Sequence, residues 1–321
     1  MVKGWEFTYT HQPLRLVEKP DPVAQPGYVV LDVKASGLCH SDVGAMEDES
    51  WMALMKAPLY IGHEYAGVIT EVGEGVTKFK IGDKVGVCPV IQKEGLPSEG
   101  GGGYTRDGGY ATKSTAPEEA LVPIPEGVTW AQAAAATDAG MTSHHAVVAN
   151  GGVKKGMKVG IIGIGGLGSI GARVAVLSGA EVYAATRSPA AQAEALKLGC
   201  KAVYSNILEA AKHDLDVVVD FAGAGQTTTD ALEAVRPDGR VVLVGMANLA
   251  PVVNAMTMIT HRLTLVGSNG GNVDDIAAVY RMMASGDLKP EIIEIGFDEI
   301  PEGLEKLKAG GVKGRMVAVL D

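Results

Sequence analysis

Two sets of residues in this chain of 321 have types and spacings that could do chemistry. In the stretch IIGIGGLGSIG, Gly163, Gly165 and Gly168 form a GxGxxG pattern, with Gly166 and Leu167 before the last glycine. Glycines there let the backbone turn tightly and come close to a pyrophosphate, and a helix that follows offers unpaired N–H groups and its positive dipole end. The pattern is weak alone and strong between a predicted strand and a predicted helix, here expected to start near Gly166. The next strand ends in YAATRSPAAQ, where an NAD-preferring site would carry an acid for the ribose 2′-hydroxyl. Thr186, Arg187 and Ser188 instead offer a cation and hydroxyls to a 2′-phosphate, so NADP is the expected cofactor. A solvated surface arginine is the plain alternative for Arg187.

The second set points to metal chemistry. Cys39 in SGLCHSD supplies a potential thiolate, and IGHEYAG brings His63 and Glu64. Each has an ordinary alternative, a small buried cysteine or a hydrogen-bonded core histidine, and spacing alone does not choose. Asp138 is the one charged residue in AATDAGMTSHH. A carboxylate in such surroundings requires an explanation.

These residues need elements to hold them. Residues 1–140 contain short β-rich runs (YVVLDVKASG, YAGVITEVGEG, DKVGVCPV) punctuated by Pro and Gly, as in an irregular, largely antiparallel domain. From about residue 141 to 269, apolar runs (KVGIIGIG, EVYAAT, DVVVDFAG, GRVVLVGM, LTLVGS) alternate with amphipathic stretches such as SPAAQAEALKLG and QTTTDALEAVRPDG. That alternation predicts a doubly wound α/β domain with a parallel sheet. Residues 270–321 hold a helix, a second helix near 301–309 and a final strand. EGGGGY at 99–104 reads as a flexible loop, and there is no internal repeat.

Composition narrows the function classes. With 28 basic and 38 acidic side chains the formal net charge is −10, which repels phosphate backbones and anionic lipid. Nucleic acid and membrane surfaces are therefore not expected partners. The first residues have no apolar stretch of signal-peptide length, and the most hydrophobic segment, 159–180, is interrupted by glycines and Arg173. A soluble, cytoplasmic protein is expected. Three cysteines at irregular spacing make no disulfide framework.

GLCHSD, then GHEYAGVITEVGEGVTKFKIGDKV, then GIGGLG after a strand, in this order and at these separations, resembles the zinc-dependent medium-chain dehydrogenase/reductase family, the alcohol dehydrogenases. The resemblance runs through essentially the whole chain. It implies a GroES-like catalytic domain from residues 1–140 and 270–321, and a Rossmann domain at 141–269. It also implies one catalytic zinc held by Cys39, His63 and, where relatives usually have a second cysteine, Asp138. NADP-dependent bacterial secondary-alcohol dehydrogenases of the family use the same ligand types, and carboxylate oxygen is an acceptable zinc ligand. The structural alternative is that Asp138 caps the following helix.

The resemblance assigns further roles. Glu64 matches a glutamate that can enter the zinc shell or steer ligand exchange, and Ser41 a hydroxyl that shuttles the alcohol proton. The position three beyond Ser41, often histidine in relatives, is Gly44, so that relay is incomplete. Thr142 matches a nicotinamide contact and Arg315 an arginine that reaches the cofactor phosphates. No structural zinc is expected, because Cys88 stands alone between Val87 and Tyr110, where many relatives have four cysteines in a longer lobe. Met52, Leu54, Met55 and Trp51 fall where relatives build part of a substrate pocket, or are ordinary core. His144, His145 and His213 carry no motif, and His213 reads as solvated.

The expected activity is hydride transfer between NADP(H) and a small alcohol or carbonyl compound, secondary alcohols favoured, in a homo-oligomer (dimer or tetramer). The rival readings are a cinnamyl-alcohol-like aldehyde reductase, a polyol or sugar dehydrogenase, and a catalytically silent cofactor-binding relative.

Overall fold

The computed structural model describes residues 1–91 and 99–320. The chain divides into two compact units, one of Met1–Asp138 with Asn272–Asp321, the other Ala139–Gly271.

In the first unit the strand Tyr28–Gly37 runs through the middle of a seven-stranded sheet. It pairs antiparallel with Glu64–Val72, Lys113–Pro117 and Arg315–Val319, and Arg315–Val319 pairs parallel with Ile292–Gly296. The last part of the chain thus returns to complete a sheet begun by the first. Its register matters for function. Gly37 lies opposite Glu64 and also opposite Val317, so residues just beyond one strand end meet the beginnings of two others. A Cβ on Gly37 would collide with the Glu64 carboxylate, so glycine there makes room for that acid. Beside this sheet, Phe7, Leu38, Leu59, Tyr110, Leu304 and Met316 form a buried cluster.

The second unit is a six-stranded parallel sheet in the order Ala202–Tyr204, Glu181–Ala185, Lys158–Ile162, Leu215–Asp220, Val235–Leu243, Thr264–Gly267. The order reverses beside Lys158–Ile162, which makes the loop after that strand the topological switch point where such sheets bind ligands. All five apolar runs expected to be strands are strands of this sheet, and the two amphipathic stretches become the helices Pro189–Lys197 and Gln226–Ala234. The α/β class, with an antiparallel β-rich unit and a doubly wound one, is the architecture of the chain.

Two expectations are corrected. Residues 99–104 are not a free loop: Glu99–Gly100 pairs with Val90–Ile91, and Gly102 bridges to Arg106. His213 is not solvated, since its ring stacks on Tyr183 with centroids 4.1 Å apart and its Nε2 lies 2.8 Å from the Tyr204 hydroxyl. Tyrosines on neighbouring strands draw it onto the sheet. The helix expected near Gly166 is present as Gly168–Leu177, with the Ser169 N–H already donating to the Gly165 carbonyl at 3.0 Å. The part of the expected shortened lobe at 92–98 lies outside the described residues. Among the described residues no helix is long and apolar enough to cross a membrane.

Candidate functional site

The first unit gathers Cys39, His63 and Asp138 so that one ligand atom from each lies within 4.8 Å of the others. Their separation in sequence hides how simply the fold does this. Cys39 follows the central strand and sits at the N-cap of the helix His40–Glu47. His63 immediately precedes the paired strand Glu64–Val72, after Gly62, whose φ of +92° turns the chain into it at little steric cost. Asp138 lies within a π-helical turn, Ala136–Gly140, that follows the helix Trp130–Ala135 packed on the same sheet. Such turns inside helices recur at functional sites. The N-cap position of the next helix, Met141–His144, belongs to Gly140, so Asp138 does not stand at that cap.

Asp138 Oδ2 is the common point. It accepts a hydrogen bond from Cys39 Sγ at 3.4 Å and from Arg315 Nη2 at 3.0 Å, and lies 3.4 Å from His63 Nε2. The other ring nitrogen of His63, Nδ1, is 3.2 Å from Asp42 Oδ1. With a proton on Nδ1 donated to Asp42, Nε2 presents its lone pair toward Cys39 and Asp138, the arrangement usual for a metal-binding histidine. Asp42 Oδ2 also accepts from the Cys39 backbone N–H at 3.1 Å and from the Tyr110 hydroxyl at 2.7 Å, fixing both candidate ligands through one carboxylate. A thiolate, an imidazole and a carboxylate with no fourth protein donor in the set fit a zinc ion that keeps one position open.

Electrostatics reinforce this geometry. Burial opposes a charged His63, but Tyr104, Asp42 and Asp138 outweigh it and hold its imidazolium well above the ordinary histidine range. Burial pushes Asp138 up, yet the hydrogen bond and charge of His63, then Arg315, bring its carboxyl far below the usual range. Burial pushes Glu64 up to about 7, against the pull of Arg315. The metal-free cluster therefore carries a protonated imidazole beside a carboxylate, which a cation would replace.

The other candidate residues fall as follows. Glu64 is fully buried and paired with Arg315, through Nε at 3.1 and 2.9 Å and through a contact from Nη2. Arg315, expected on cofactor phosphates, is 4% exposed and has Glu64 and Asp138 as its partners. Ser41 Oγ lies 3.5 Å from Cys39 Sγ. Met55 is buried with Trp51 and Met52 packed beside it, whereas Leu54 is exposed. Cys88 is buried and donates to the Val90 carbonyl. Sequence reasoning missed Asp42, despite its place three residues after Cys39, and Tyr104, whose ring centroid is 4.9 Å from that of His63.

In the second unit the glycine-rich turn has the shape its sequence suggests. Gly163 has φ +84°, and a Cβ on Gly168 would collide with the Gly163 carbonyl, so the helix can approach the strand only without a side chain there. At Gly165 a Cβ would meet no atom within 4 Å, leaving open space before the start of the helix Gly168–Leu177. Space over exposed backbone at a helix N-terminus suits a pyrophosphate. At the end of the neighbouring strand, Arg187 is exposed, and Ser188 caps the helix Pro189–Lys197 by accepting from the Ala191 N–H at 3.4 Å. The Thr186 carbonyl accepts from Gln192 Nε2. Thr142 is buried within Met141–His144.

Comparison with known proteins adds to these observations. Residues 25–126 match the alcohol dehydrogenase GroES-like domain and residues 166–285 the zinc-binding dehydrogenase domain. A probable cinnamyl alcohol dehydrogenase 3 of Oryza sativa subsp. japonica is 30% identical, over 90% of this chain and 85% of its own. The NADP-dependent alcohol dehydrogenase C 1 of Mycolicibacterium smegmatis is 28% identical over 98% and 97%. Among solved structures, acetophenone reductase from Geotrichum candidum in complex with NAD superposes with a TM-score of 0.89 at 28% identity, covering 99% of this chain and 97% of that one.

Proposed function

Because the chain belongs to the zinc-dependent medium-chain alcohol dehydrogenase family, we propose that it is a cytoplasmic, zinc- and NADP-dependent alcohol dehydrogenase that works as a carbonyl reductase in reverse, with secondary alcohols and their ketones preferred. The observation that carries the zinc reading is the convergence of Cys39 Sγ, His63 Nε2 and Asp138 Oδ2 on one point. One catalytic zinc per chain would be held there, and its chemistry is to polarise the oxygen of the bound substrate. NADP rests on Thr186, Arg187 and Ser188 where an acid would select NAD, with Gly163 to Gly168 receiving the pyrophosphate.

The side chains have separable tasks. Asp42 fixes the tautomer and direction of His63, and Asp138 completes the ligand set. Ser41 offers a hydroxyl close to Cys39 for the proton of the alcohol. With Gly44 in the relay position that proton passes on without an imidazole at that point. Thr142 is assigned to the nicotinamide, and the protein is expected to act as a dimer or tetramer.

The test is the initial rate of NADPH consumption by zinc-loaded protein with a small methyl ketone and with an aromatic aldehyde at matched concentrations. Faster turnover of the ketone supports the secondary-alcohol reading. Faster turnover of the aldehyde moves the enzyme to the cinnamyl-alcohol-like reductases, with Asp138 a local substitution.

A further inference from the structure

The oxygen of Asp138 that faces Cys39 and His63 is also the oxygen that Arg315 binds. Arg315 Nη2 donates to Oδ2 at 3.0 Å, while Nε and Nη2 hold Glu64. The guanidinium is almost wholly removed from water, as is Glu64. A full positive charge therefore rests on the atom that would ligate the metal. We propose that Arg315 is a positioning residue that holds Oδ2 of Asp138 and competes with the metal for its electron density, so that the ion is held less tightly and stays more electrophilic. The inference rests on Asp138 as a ligand.

The charge balance explains why such a residue is useful here. The thiolate of Cys39 and the carboxylates of Asp138, Asp42 and Glu64 outnumber the charge of a dication. Arg315 offsets one of these negative charges, and a less anionic set donates less to the ion. The grip is particular to a carboxylate, because thiolate sulfur is a weaker acceptor for a guanidinium than a carboxylate oxygen, which forms short charge-assisted bonds with it. With cysteine at position 138 the same arginine would retain Glu64 and lose most of its hold on the ligand. Asp138 and Arg315 are thus one device, and Arg315 moderates the charge that the carboxylate brings.

The test combines Arg315→Gln and Arg315→Lys with Asp138→Cys, measuring the rate at which a chelator strips zinc and the turnover per bound zinc. In the Asp138 chain, Arg315→Gln is expected to slow zinc removal by about 10-fold and to lower turnover per zinc by a similar factor, with Arg315→Lys between it and the parent, because a buried positive charge beside the ion is removed. These opposite movements distinguish the proposal from structural damage, which would loosen the metal and slow turnover together. In the Asp138→Cys background the effect of Arg315→Gln on zinc removal is expected to shrink to roughly 2-fold, the signature of coupling between the two positions. Faster zinc loss in Arg315→Gln, or an equal effect in both backgrounds, overturns the inference. Unchanged zinc content in Asp138→Ala would instead show that the ligand assignment had failed.

Discussion

Asp42 Oδ1 and His63 Nδ1 lie 3.2 Å apart, and both side chains are buried. The same carboxylate receives the Cys39 N–H and the Tyr110 hydroxyl, so one residue fixes two candidate ligands from behind. Asp42→Asn should retain much of the shape while weakening the orientation of His63. A loss of about 10- to 100-fold in zinc affinity is expected, with NADPH binding nearly unchanged. Competition against a chromophoric chelator measures it, and an unaltered zinc affinity would remove Asp42 from the site.

The protonation of His63 sets a pH dependence. Its pKa in the metal-free fold is raised above the ordinary 6.5, burial opposing and Tyr104, Asp42 and Asp138 prevailing. Zinc must displace that proton, so below the raised value affinity should fall by about tenfold per pH unit for each ligand proton displaced. The stability of the metal-free chain follows the opposite course. A raised histidine value means that the native state binds more protons than the unfolded state, so stability is present below 6.5 and is lost as pH rises through the folded value. Glu64, raised to about 7 from 4.5, acts in the same direction between those two values. Thermal melts of metal-free protein should therefore decline as pH rises from 4.5 through about 7 and on through the raised His63 value, whereas below 3.8 the depressed Asp138 carboxyl reverses the slope. Melts that rise instead would contradict the protonated His63.

Much of the fold is legible in the sequence because its signals are local. Gly163, Gly165 and Gly168 stand between a strand and a helix, and their roles need no distant partner. The metal-type site is less legible. Cys39 and His63 each have an ordinary reading, and Asp138, conspicuous as the one charged residue of its stretch, becomes a ligand only through resemblance. The contacts that unite them join residues 99 apart for Cys39 and Asp138, and 251 apart for Glu64 and Arg315. Strand register, which places Gly37 opposite both Glu64 and Val317, creates these meetings, and no local pattern encodes it. Tyr104 was missed for the same reason, whereas Asp42 stands three residues after Cys39 and its tie to His63 appears only in the fold. His213 reads as solvated until Tyr183 and Tyr204 are seen on adjacent strands.

The glycines of the turn separate binding from stability. At Gly165 an added methyl meets open space in the protein, so Gly165→Ala should leave the melting temperature almost unchanged and lower NADPH affinity by crowding the bound pyrophosphate. At Gly168 the same methyl meets the Gly163 carbonyl, so Gly168→Ala should force the helix off the strand and destabilise the unit by roughly 1–3 kcal/mol. Melting curves and cofactor titration of the two variants check the contrast. Equal melting temperatures for both, or full NADPH affinity in Gly165→Ala, would count against this account of the turn.

On the proposed reading, residues 186–188 set the choice of cofactor. Arg187 is exposed at the end of the strand Glu181–Ala185, free of the burial that would limit its reach, while Ser188 is engaged as a helix cap through its oxygen and keeps its hydroxyl proton for donation. A charge-assisted hydrogen bond to the 2′-phosphate is worth about 1.5–3 kcal/mol, so Arg187→Ala should weaken NADPH by roughly 10- to 100-fold and NADH by little. Thr186→Asp should go further, since a carboxylate repels the phosphate and accepts the ribose 2′-hydroxyl of NADH. Dissociation constants for both cofactors across the parent and the two variants supply the test. Equal losses for NADPH and NADH in Arg187→Ala would make Arg187 a surface arginine and leave NADP preference without its cation. A reversed preference in Thr186→Asp would locate the choice of cofactor at the end of this one strand.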